Sequence, residues 1–347
     1  MPSNQAAWLT KADAPLEVRE APMPTAGPGE IVVRNFAIAI NPLDTHMQKT
    51  GVFVQQWPAV FGCDVAGEVH EVGAEAGSRF KKGDRVIGHT VNLVSGRPED
   101  GAYALYTVVQ ANKTAILPAE IPFTAGVVVP FALEAAVCAL SVKVPGPAMP
   151  GVSTPALGLP YPSLDPRPLG KTLVVYGGSS SVGSMTTQLA SAAGIRVIAI
   201  CSERNFSLAQ TAGAAAVFDY NDPSFVEEII AEVRASGQEF VGVFDAISSP
   251  ETYENGLKIL NALGGGHLAC VHPPPTGVPG SVKAGMIFAV NDVATPVWQE
   301  YVTTALQQGK LACLPPPIIV GKGLDKINEA LERCVAGVSG GKLVVEL

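Results

Sequence analysis

The stretch Leu173-Val174-Val175-Tyr176-Gly177-Gly178-Ser179-Ser180-Ser181-Val182-Gly183-Ser184 decides the fold class of this chain of 347 residues. It reads as an apolar strand, a glycine- and serine-rich loop, and a helix predicted to run from about Ser184 to Ala193. Small residues in such a loop allow the backbone to approach a pyrophosphate, and the N–H groups at the helix start point toward it. The residues predicted to contact the phosphates are Gly177, Gly178, Ser179, Ser180, Ser181 and Val182.

A second strand supports this interpretation, because Ile195-Arg196-Val197-Ile198-Ala199-Ile200 follows the predicted helix. A glycine pattern between a strand and a helix, followed by a parallel strand, is the context of a dinucleotide site. The alternative is an ordinary tight turn between a strand and a helix.

The residues after this second strand, Cys201-Ser202-Glu203-Arg204-Asn205, bear on which dinucleotide binds. NAD enzymes place an acid here for the ribose 2′-hydroxyl, whereas a 2′-phosphate needs hydroxyl or cationic groups. Ser202 and Arg204, with Asn205 beside them and a hydroxyl from Tyr220, favour NADPH over NADH. Glu203 argues the other way, and Glu203 with Arg204 would also fit a solvated surface loop.

The organisation of the chain changes near Phe123. Short strands and turns precede it, and strands alternating with helices follow it, which predicts a doubly wound parallel sheet of the α/β class. The predicted early strands are 6–9, 16–20 and 30–36, the later ones are 173–176, 197–200, 216–218, 241–244 and 266–271, and the helices are 225–235, 253–260, 297–307 and 324–335.

A proline-rich excursion covers residues 144–170, with eight prolines from Pro145 to Pro168. Such a run excludes a helix or a central strand and predicts a semi-rigid surface segment. It either helps to cover a pocket or a partner site, or it is an inert loop.

The composition narrows the functional class. A formal net charge of −8 without a Lys/Arg cluster argues against nucleic acid. The N-terminal residues do not resemble a signal peptide, and no run of 18 apolar residues is present, so we expect a cytoplasmic protein without a membrane span. The six cysteines are scattered without C-x-x-C spacing, which predicts reduced thiols.

Several motifs together resemble the zinc-independent medium-chain dehydrogenases/reductases of the quinone oxidoreductase and enoyl reductase type. They are Pro28-Gly29-Glu30-Ile31-Val32-Val33, Asn41-Pro42-Leu43-Asp44, Gly62-Cys63-Asp64-Val65-Ala66-Gly67-Glu68-Val69, Lys82-Gly83-Asp84-Arg85-Val86-Ile87-Gly88 and the glycine/serine loop. The loop and the proline-rich insert are most similar to fungal trans-acting enoyl reductases, which serve polyketide synthases, and to CipB-like oxidoreductases.

This resemblance implies a GroES-like β-rich catalytic domain (1–125 and 290–347) and an inserted Rossmann domain (126–289), with the cofactor in the cleft between them. It also implies a small-molecule substrate, from secondary metabolism, and a possible polyketide synthase partner. Relatives of the quinone oxidoreductase type tend to form dimers, whereas trans-acting enoyl reductases resemble monomers. The oligomeric state therefore stays open.

Zinc-using relatives carry a Cys near the first Asp, a Gly-His-Glu motif and a four-cysteine lobe. Here the second motif reads Gly62-Cys63-Asp64, and residues 88–106 contain no cysteine. We therefore expect no metal, although His46, Cys63 and Asp64 form a conceivable three-ligand set. Without a metal, reduction of an activated C=C bond is favoured over reduction of a carbonyl. The pocket floor is expected to involve Asn41, Asp44, His46, Cys63 and Asp64.

Two residues depart from the family pattern. His46 stands where relatives often have Lys, and Glu134-Ala135 replaces a Ser/Thr pair. Glu134 is a lone carboxylate in an apolar run, so it acts as a general acid/base, lies on an exposed helix edge, or accepts backbone hydrogen bonds. His46 either donates a proton or is a polar wall residue. As a pair they would suit a redox-neutral isomerase or cyclase, and a noncatalytic partner of a synthase is a weaker alternative.

The remaining cofactor contacts are predicted from the topology. Ala246 and Ile247 follow a strand and would flank the ribose or adenine, and Leu268 lies in the stretch expected to border the carboxamide. Lys342 matches a family position near the cofactor or substrate, and a surface position is the alternative.

Overall fold

The computed structural model describes residues 3–144, 146–149, 152–154 and 157–347. The chain divides into two compact units. Unit 1 comprises Met1–Phe131 and Trp298–Leu347, and unit 2 comprises Ala132–Val297. Both boundaries lie somewhat later in the chain than the predicted domain limits.

Strands predominate in the first 120 residues of the chain, and most of the α-helices follow them. The strands are β1 Asn4–Trp8, β2 Glu17–Ala21, β3 Glu30–Ala39, β4 Asp64–Val72, β5 Arg85–His89, β6 Tyr106–Gln110, β7 Thr114–Ile116, β8 Gly146–Met149, β9 Val152–Thr154, β10 Lys171–Tyr176, β11 Arg196–Cys201, β12 Ala216–Asp219, β13 Glu239–Asp245, β14 Gly266–Cys270, β15 Val282–Met286, β16 Pro317–Lys322 and β17 Lys342–Glu346. The α-helices are α1 Pro42–Thr50, α2 Asn92–Ser95, α3 Phe123–Gly126, α4 Pro130–Ser141, α5 Ser181–Ala192, α6 Phe206–Thr211, α7 Phe225–Ser236, α8 Pro250–Ala262, α9 Thr295–Glu300, α10 Val302–Gln307 and α11 Ile327–Val335.

Unit 1 is built on a mixed sheet of seven strands. Its order is β16-β17-β3-β4-β5-β7, and β6 also pairs with β3. β16 and β17 are parallel, whereas the other pairs are antiparallel. Because β17 pairs with the long central strand β3, the C-terminal segment completes this sheet.

Unit 2 is built on a parallel sheet of six strands in the order β12-β11-β10-β13-β14-β15. Residues 197–200 of β11 are all fully buried. Continuous burial of this kind occurs when helices cover both faces of a parallel sheet. The chain reverses its direction of winding between β10 and β13, so the carboxyl ends of these two strands mark the switch point where such sheets bind ligands.

Several observed helices differ from the predicted ones. α8 begins at Pro250 and not at Tyr253, and the helix predicted over 324–335 begins as α11 only at Ile327. α5 begins at Ser181 and not near Ser184, because the Ser180 hydroxyl caps the helix by accepting a hydrogen bond from the Gly183 N–H. The helix predicted over 297–307 is two helices, α9 and α10, separated at Tyr301.

The proline-rich excursion contains β8 and β9, which pair with each other in an antiparallel two-stranded sheet. Within its described part, no helix and no central strand occurs. Residues 145, 150, 151, 155 and 156, including three of the prolines, lie outside the described residues.

One helical stretch, Phe123–Ser141, is long and apolar enough to cross a membrane by length and composition. Of its most apolar window, 78% is buried inside the protein. The core helix of a soluble protein passes the same test.

Candidate active site

The glycine/serine loop of unit 2 connects β10 to α5 in a tight turn. Gly177 has φ +75°, a left-handed conformation that favours glycine. The Gly183 N–H donates to the Ser180 Oγ at 3.1 Å. A Cβ atom on Gly183 would lie 2.1 Å from the Gly177 carbonyl oxygen, so this position accepts no side chain without opening the turn.

The start of α5 suits an anionic phosphate. The Ser181 Oγ is buried and has no hydrogen-bond partner among the described residues. The first N–H groups of a helix carry a partial positive charge and lack partners within the helix. A hydroxyl without a partner at such a helix start fits the phosphate oxygens of a dinucleotide.

The residues predicted to contact the ribose 2′ position of the cofactor follow the carboxyl ends of β11 and β12. Cys201 and Asp219 are paired in parallel register, which places Ser202 and Tyr220 next along neighbouring strands. Ser202 is buried, and its Oγ accepts a hydrogen bond from the Asn205 Nδ2 at 3.2 Å. Arg204 is exposed, as is Glu203 beside it. Tyr220 is 42% exposed. The side chains of Glu203, Arg204 and Tyr220 therefore remain accessible at the carboxyl edge of the sheet, whereas Ser202 is buried.

The turn after β13 is organised by Asp245, whose role as a turn organiser is not predicted from the sequence. Its buried Oδ1 accepts hydrogen bonds from the N–H groups of Ile247 (2.9 Å) and Ser248 (2.8 Å). Burial raises the pKa of this carboxyl. The Ala246 N–H donates to the Tyr176 carbonyl at 3.0 Å, which ties the turn to the end of β10. Ile247 is 44% exposed. Its side chain lies close to Gly177, because a Cβ atom on Gly177 would be 2.7 Å from the Ile247 Cγ1.

Leu268 differs from the other residues predicted to contact the cofactor. Its side chain is fully buried in the hydrophobic core of unit 2, with Val243, Ile259 and Leu260. Its backbone lies in the interior strand β14, paired with Val243 of β13 and Ala284 of β15, so contact between Leu268 and the cofactor stays a prediction.

In unit 1, the carboxylate of Asp64 joins three segments that are distant in sequence. Its Oδ2 accepts hydrogen bonds from the Asn41 Nδ2 at 2.7 Å and from the Lys342 Nζ at 2.8 Å. Its Oδ1 accepts from the Phe131 N–H at 2.6 Å, at the first turn of α4. The Lys342 Nζ also lies 3.3 Å from the Val128 carbonyl. Lys342 is 3% exposed, so the alternative of a surface lysine is wrong.

Asp44 lies at the start of α1 and is fully buried. Its Oδ2 accepts a hydrogen bond from the Asn41 N–H at 2.7 Å, and its Oδ1 has no partner among the described residues. Burial raises the pKa of Asp44 to about 7 against the opposing effect of the Asn41 hydrogen bond. The sequence does not reveal this near-neutral carboxyl.

Two further buried groups surround this region. Burial raises the pKa of the Cys63 thiol well above its usual value, which keeps it protonated. His89 pairs with Asp64 in the register of β4 and β5, and burial lowers its pKa to about 3. Neither ring nitrogen of His89 has a hydrogen-bond partner among the described residues. The sequence does not single out His89. This residue directly follows the Lys82–Gly88 motif, and that motif indicates the family but no role for its neighbours.

Full burial changes the interpretation of three residues predicted to be catalytic. Asp44, Cys63 and Asp64 have no accessible surface, so their side chains do not contact a substrate in this conformation. His46, in contrast, is exposed on α1. Glu134 on α4 is 1% exposed, so the alternative of an exposed helix edge is wrong. His46 belongs to unit 1 and Glu134 to unit 2, and their pairing stays a prediction.

Comparisons with known proteins agree with this architecture. Residues 27–119 match the alcohol dehydrogenase GroES-like domain, and residues 181–291 match the domain described as zinc-binding dehydrogenase. Dehydrogenase orsE of Emericella nidulans is 70% identical over the whole of both chains. The chain belongs to the medium-chain dehydrogenase/reductase family. The predicted family and the predicted fold class are thereby confirmed.

Other members of the medium-chain dehydrogenase/reductase family are more distant. The trans-enoyl reductase himH of Aspergillus japonicus is 36% identical over 99% of this chain and 97% of its own. A solved structure of the mycobacterial protein Rv1454c, complexed with NADPH, has a TM-score of 0.70 at 23% identity and covers 99% of this chain and 100% of its own. The structural likeness supports the fold.

One domain match of this medium-chain dehydrogenase/reductase is named for zinc, so the question is whether its side chains supply the ligands that a zinc ion needs. Among the described residues, no group of three or more His, Cys, Asp or Glu side chains is arranged to hold a metal ion. At the Gly62-Cys63-Asp64 position, the Cys63 thiol is buried and the Asp64 carboxylate is already paired with the Lys342 ammonium.

Proposed function

We propose that this medium-chain dehydrogenase/reductase reduces the activated C=C bond of an enone or enoyl substrate with NADPH and without zinc. The observation that supports the proposal is the tight glycine/serine turn from Gly177 to Gly183, with a Ser181 hydroxyl at the helix start that has no partner among the described residues. The name of himH, a trans-enoyl reductase, supports the choice of substrate class.

NADPH is favoured over NADH by the groups at the ends of β11 and β12. Ser202 occupies the place where an NAD enzyme has an acid, and Arg204 supplies an exposed cation beside it. Glu203 is exposed as well, so its side chain can remain in water. The related mycobacterial protein solved with NADPH is a further support.

We expect the Arg204→Ala variant to lose most of its preference for NADPH. Isothermal titration calorimetry of the wild type should give an NADPH preference of about tenfold, or about 1.4 kcal/mol. The variant should bind both dinucleotides with similar affinity, because the cation facing the 2′-phosphate is gone. Arg234→Ala is the matched control, since Arg234 is exposed in the last turn of α7, at the amino edge of the same sheet. Equal affinity of the wild type for both cofactors would contradict the NADPH assignment.

The proposed reduction needs two groups, a hydride donor and a proton donor. Carbonyl reduction in the zinc-using branch needs a Lewis acid, whereas conjugate reduction needs a hydride at the β-carbon and a proton at the α-carbon. Bound NADPH supplies the hydride. His46 is exposed on α1, and an imidazole is the side chain that most often acts as a general acid, so we assign it as the proton donor.

We expect the His46→Gln variant to lower kcat by about 10- to 100-fold while leaving the NADPH affinity unchanged, because a general acid contributes at least this much. NADPH consumption with a panel of cyclic and acyclic enones measures the effect. Lys49→Gln provides the control, since Lys49 is exposed on the same helix. Unchanged turnover of His46→Gln would show that water supplies the proton.

A redox-neutral isomerase or cyclase is the second candidate function, and the lone carboxyl of Glu134 in the apolar helix α4 is the feature that suggests it. A carboxyl in an apolar setting is suited to general acid/base catalysis. Turnover without NADPH consumption, lost in Glu134→Gln, would support this candidate over the reductase. We further propose a small-molecule substrate of secondary metabolism, a cytoplasmic location and a polyketide synthase as the possible partner.

A further inference from the structure

The Asp64 carboxylate is the point at which three parts of unit 1 meet. Asn41 caps the start of α1, Phe131 lies in the first turn of α4, and Lys342 opens β17. Each of them donates a hydrogen bond to Asp64, within 2.8 Å. The carboxylate thereby has donors on both oxygens.

The charges of Asp64 and Lys342 are buried, so forming this ion pair carries a cost in desolvation. Asp64 is fully buried and Lys342 is 3% exposed. A buried ion pair contributes little net stability compared with apolar residues of similar size, because desolvation offsets the attraction. A need for stability alone therefore does not account for the pair, whereas its geometry does fix the positions of the groups it touches.

We propose that Asp64 and Lys342 form a positioning pair that holds the start of α1, and hence His46, in the arrangement needed for proton transfer. Asp64 has no accessible surface and Lys342 is 3% exposed, so we assign them a positioning role and not direct contact with the substrate. They act through Asn41, whose side chain bonds to Asp64 while its N–H bonds to Asp44 on the first turn of α1. His46 follows Asp44 on the same helix, so a displaced helix start moves its imidazole. This inference rests on the proposed reductase function.

The test uses the double variant Asp64→Asn with Lys342→Met in the full-length protein. This change removes both charges of the pair at nearly constant volume, so neither partner is left as a buried charge without the other. We expect its melting temperature to lie within about 5 °C of the wild type. The kcat for enone reduction should fall about 10- to 100-fold, because small misplacements of catalytic groups have effects of this size. The NADPH affinity should fall far less than kcat, since the residues predicted to contact the phosphates and the ribose belong to unit 2.

A second measurement reports on position without relying on turnover. The NMR signals of the His46 imidazole, assigned with His46→Gln, should shift in the double variant, whereas those of His267 in unit 2 should not. If the double variant retained the wild-type kcat and its His46 signals were unshifted, the proposal would be overturned. If the wild type reduces no enone, the reductase function fails, and the His46 signals still decide whether the pair positions α1.

Asn41→Ala keeps the proposal testable if the double variant does not fold. It removes only the side-chain bond from α1 to Asp64 and leaves the ion pair and the Phe131 bond in place. We expect shifted His46 signals and a kcat about tenfold lower, with NADPH affinity retained. Unshifted signals and full turnover in this variant would equally overturn the proposal.

Discussion

The Gly183→Ala variant is expected to bind NADPH about 100-fold more weakly than the wild type, a loss of about 2.7 kcal/mol. The added Cβ would meet the backbone oxygen of Gly177 at 2.1 Å, and backbone has no flexible end that can move aside. The turn must open, which displaces the N–H groups at the start of α5 and the Ser181 hydroxyl. Calorimetric titration with NADPH measures the loss.

Gly280→Ala is the matched control for this variant. Gly280 also lies in unit 2, and a Cβ there meets no atom within 4 Å. We expect its NADPH affinity to equal that of the wild type. If Gly183→Ala also retained wild-type affinity, the turn between β10 and α5 would not be the phosphate-binding element.

The Asp44→Asn variant is expected to flatten the dependence of stability on pH. In the folded protein, burial raises the pKa of Asp44 from 3.8 to about 7. The unfolded chain therefore releases this proton at a lower pH than the folded protein does. The contribution of protonated Asp44 to the free energy of unfolding is complete below pH 4 and is lost as the pH rises toward 7. The shift of about three units corresponds to a loss of at most about 4 kcal/mol.

Urea denaturation at a series of pH values between 4 and 8 measures this contribution. Asparagine retains an oxygen that accepts the hydrogen bond from Asn41 but carries no proton that titrates, so the decline should disappear. Asp13→Asn serves as the control because Asp13 is exposed, and its profile should follow the wild type. A decline of equal size in Asp44→Asn would assign the pH dependence to other groups.

The nucleotide-binding half of the molecule is largely predictable from the sequence. The glycine/serine loop, the apolar strand before it and the strand after it are contiguous, and each has its own local signal. The sequence places the start of α5 too late because serine, glycine and valine are weak helix formers, whereas the Ser180 cap decides where the helix begins.

The region around Asp64 is predictable only in part. The sequence assigns Asn41, Asp44, His46, Cys63 and Asp64 to one pocket floor, but burial separates the exposed His46 from the others. The bond from Lys342 to Asp64 joins residues that are 278 positions apart, and no periodicity in the sequence encodes such a pair. The position of its strand predicts that Leu268 contacts the cofactor, whereas the alternation of side chains along β14 directs it into the core.

The dependence of Asp64 on Lys342 has a consequence for the order in which the protein matures on the ribosome. Unit 2 is continuous in sequence and can fold once residue 297 has emerged, because domains generally fold as units. Unit 1 must wait until β17 pairs with β3, and until then the Asp64 carboxylate lacks its cation. The nucleotide-binding unit is therefore expected to form first, and the unit that carries His46 is completed only when the last strand has been synthesised.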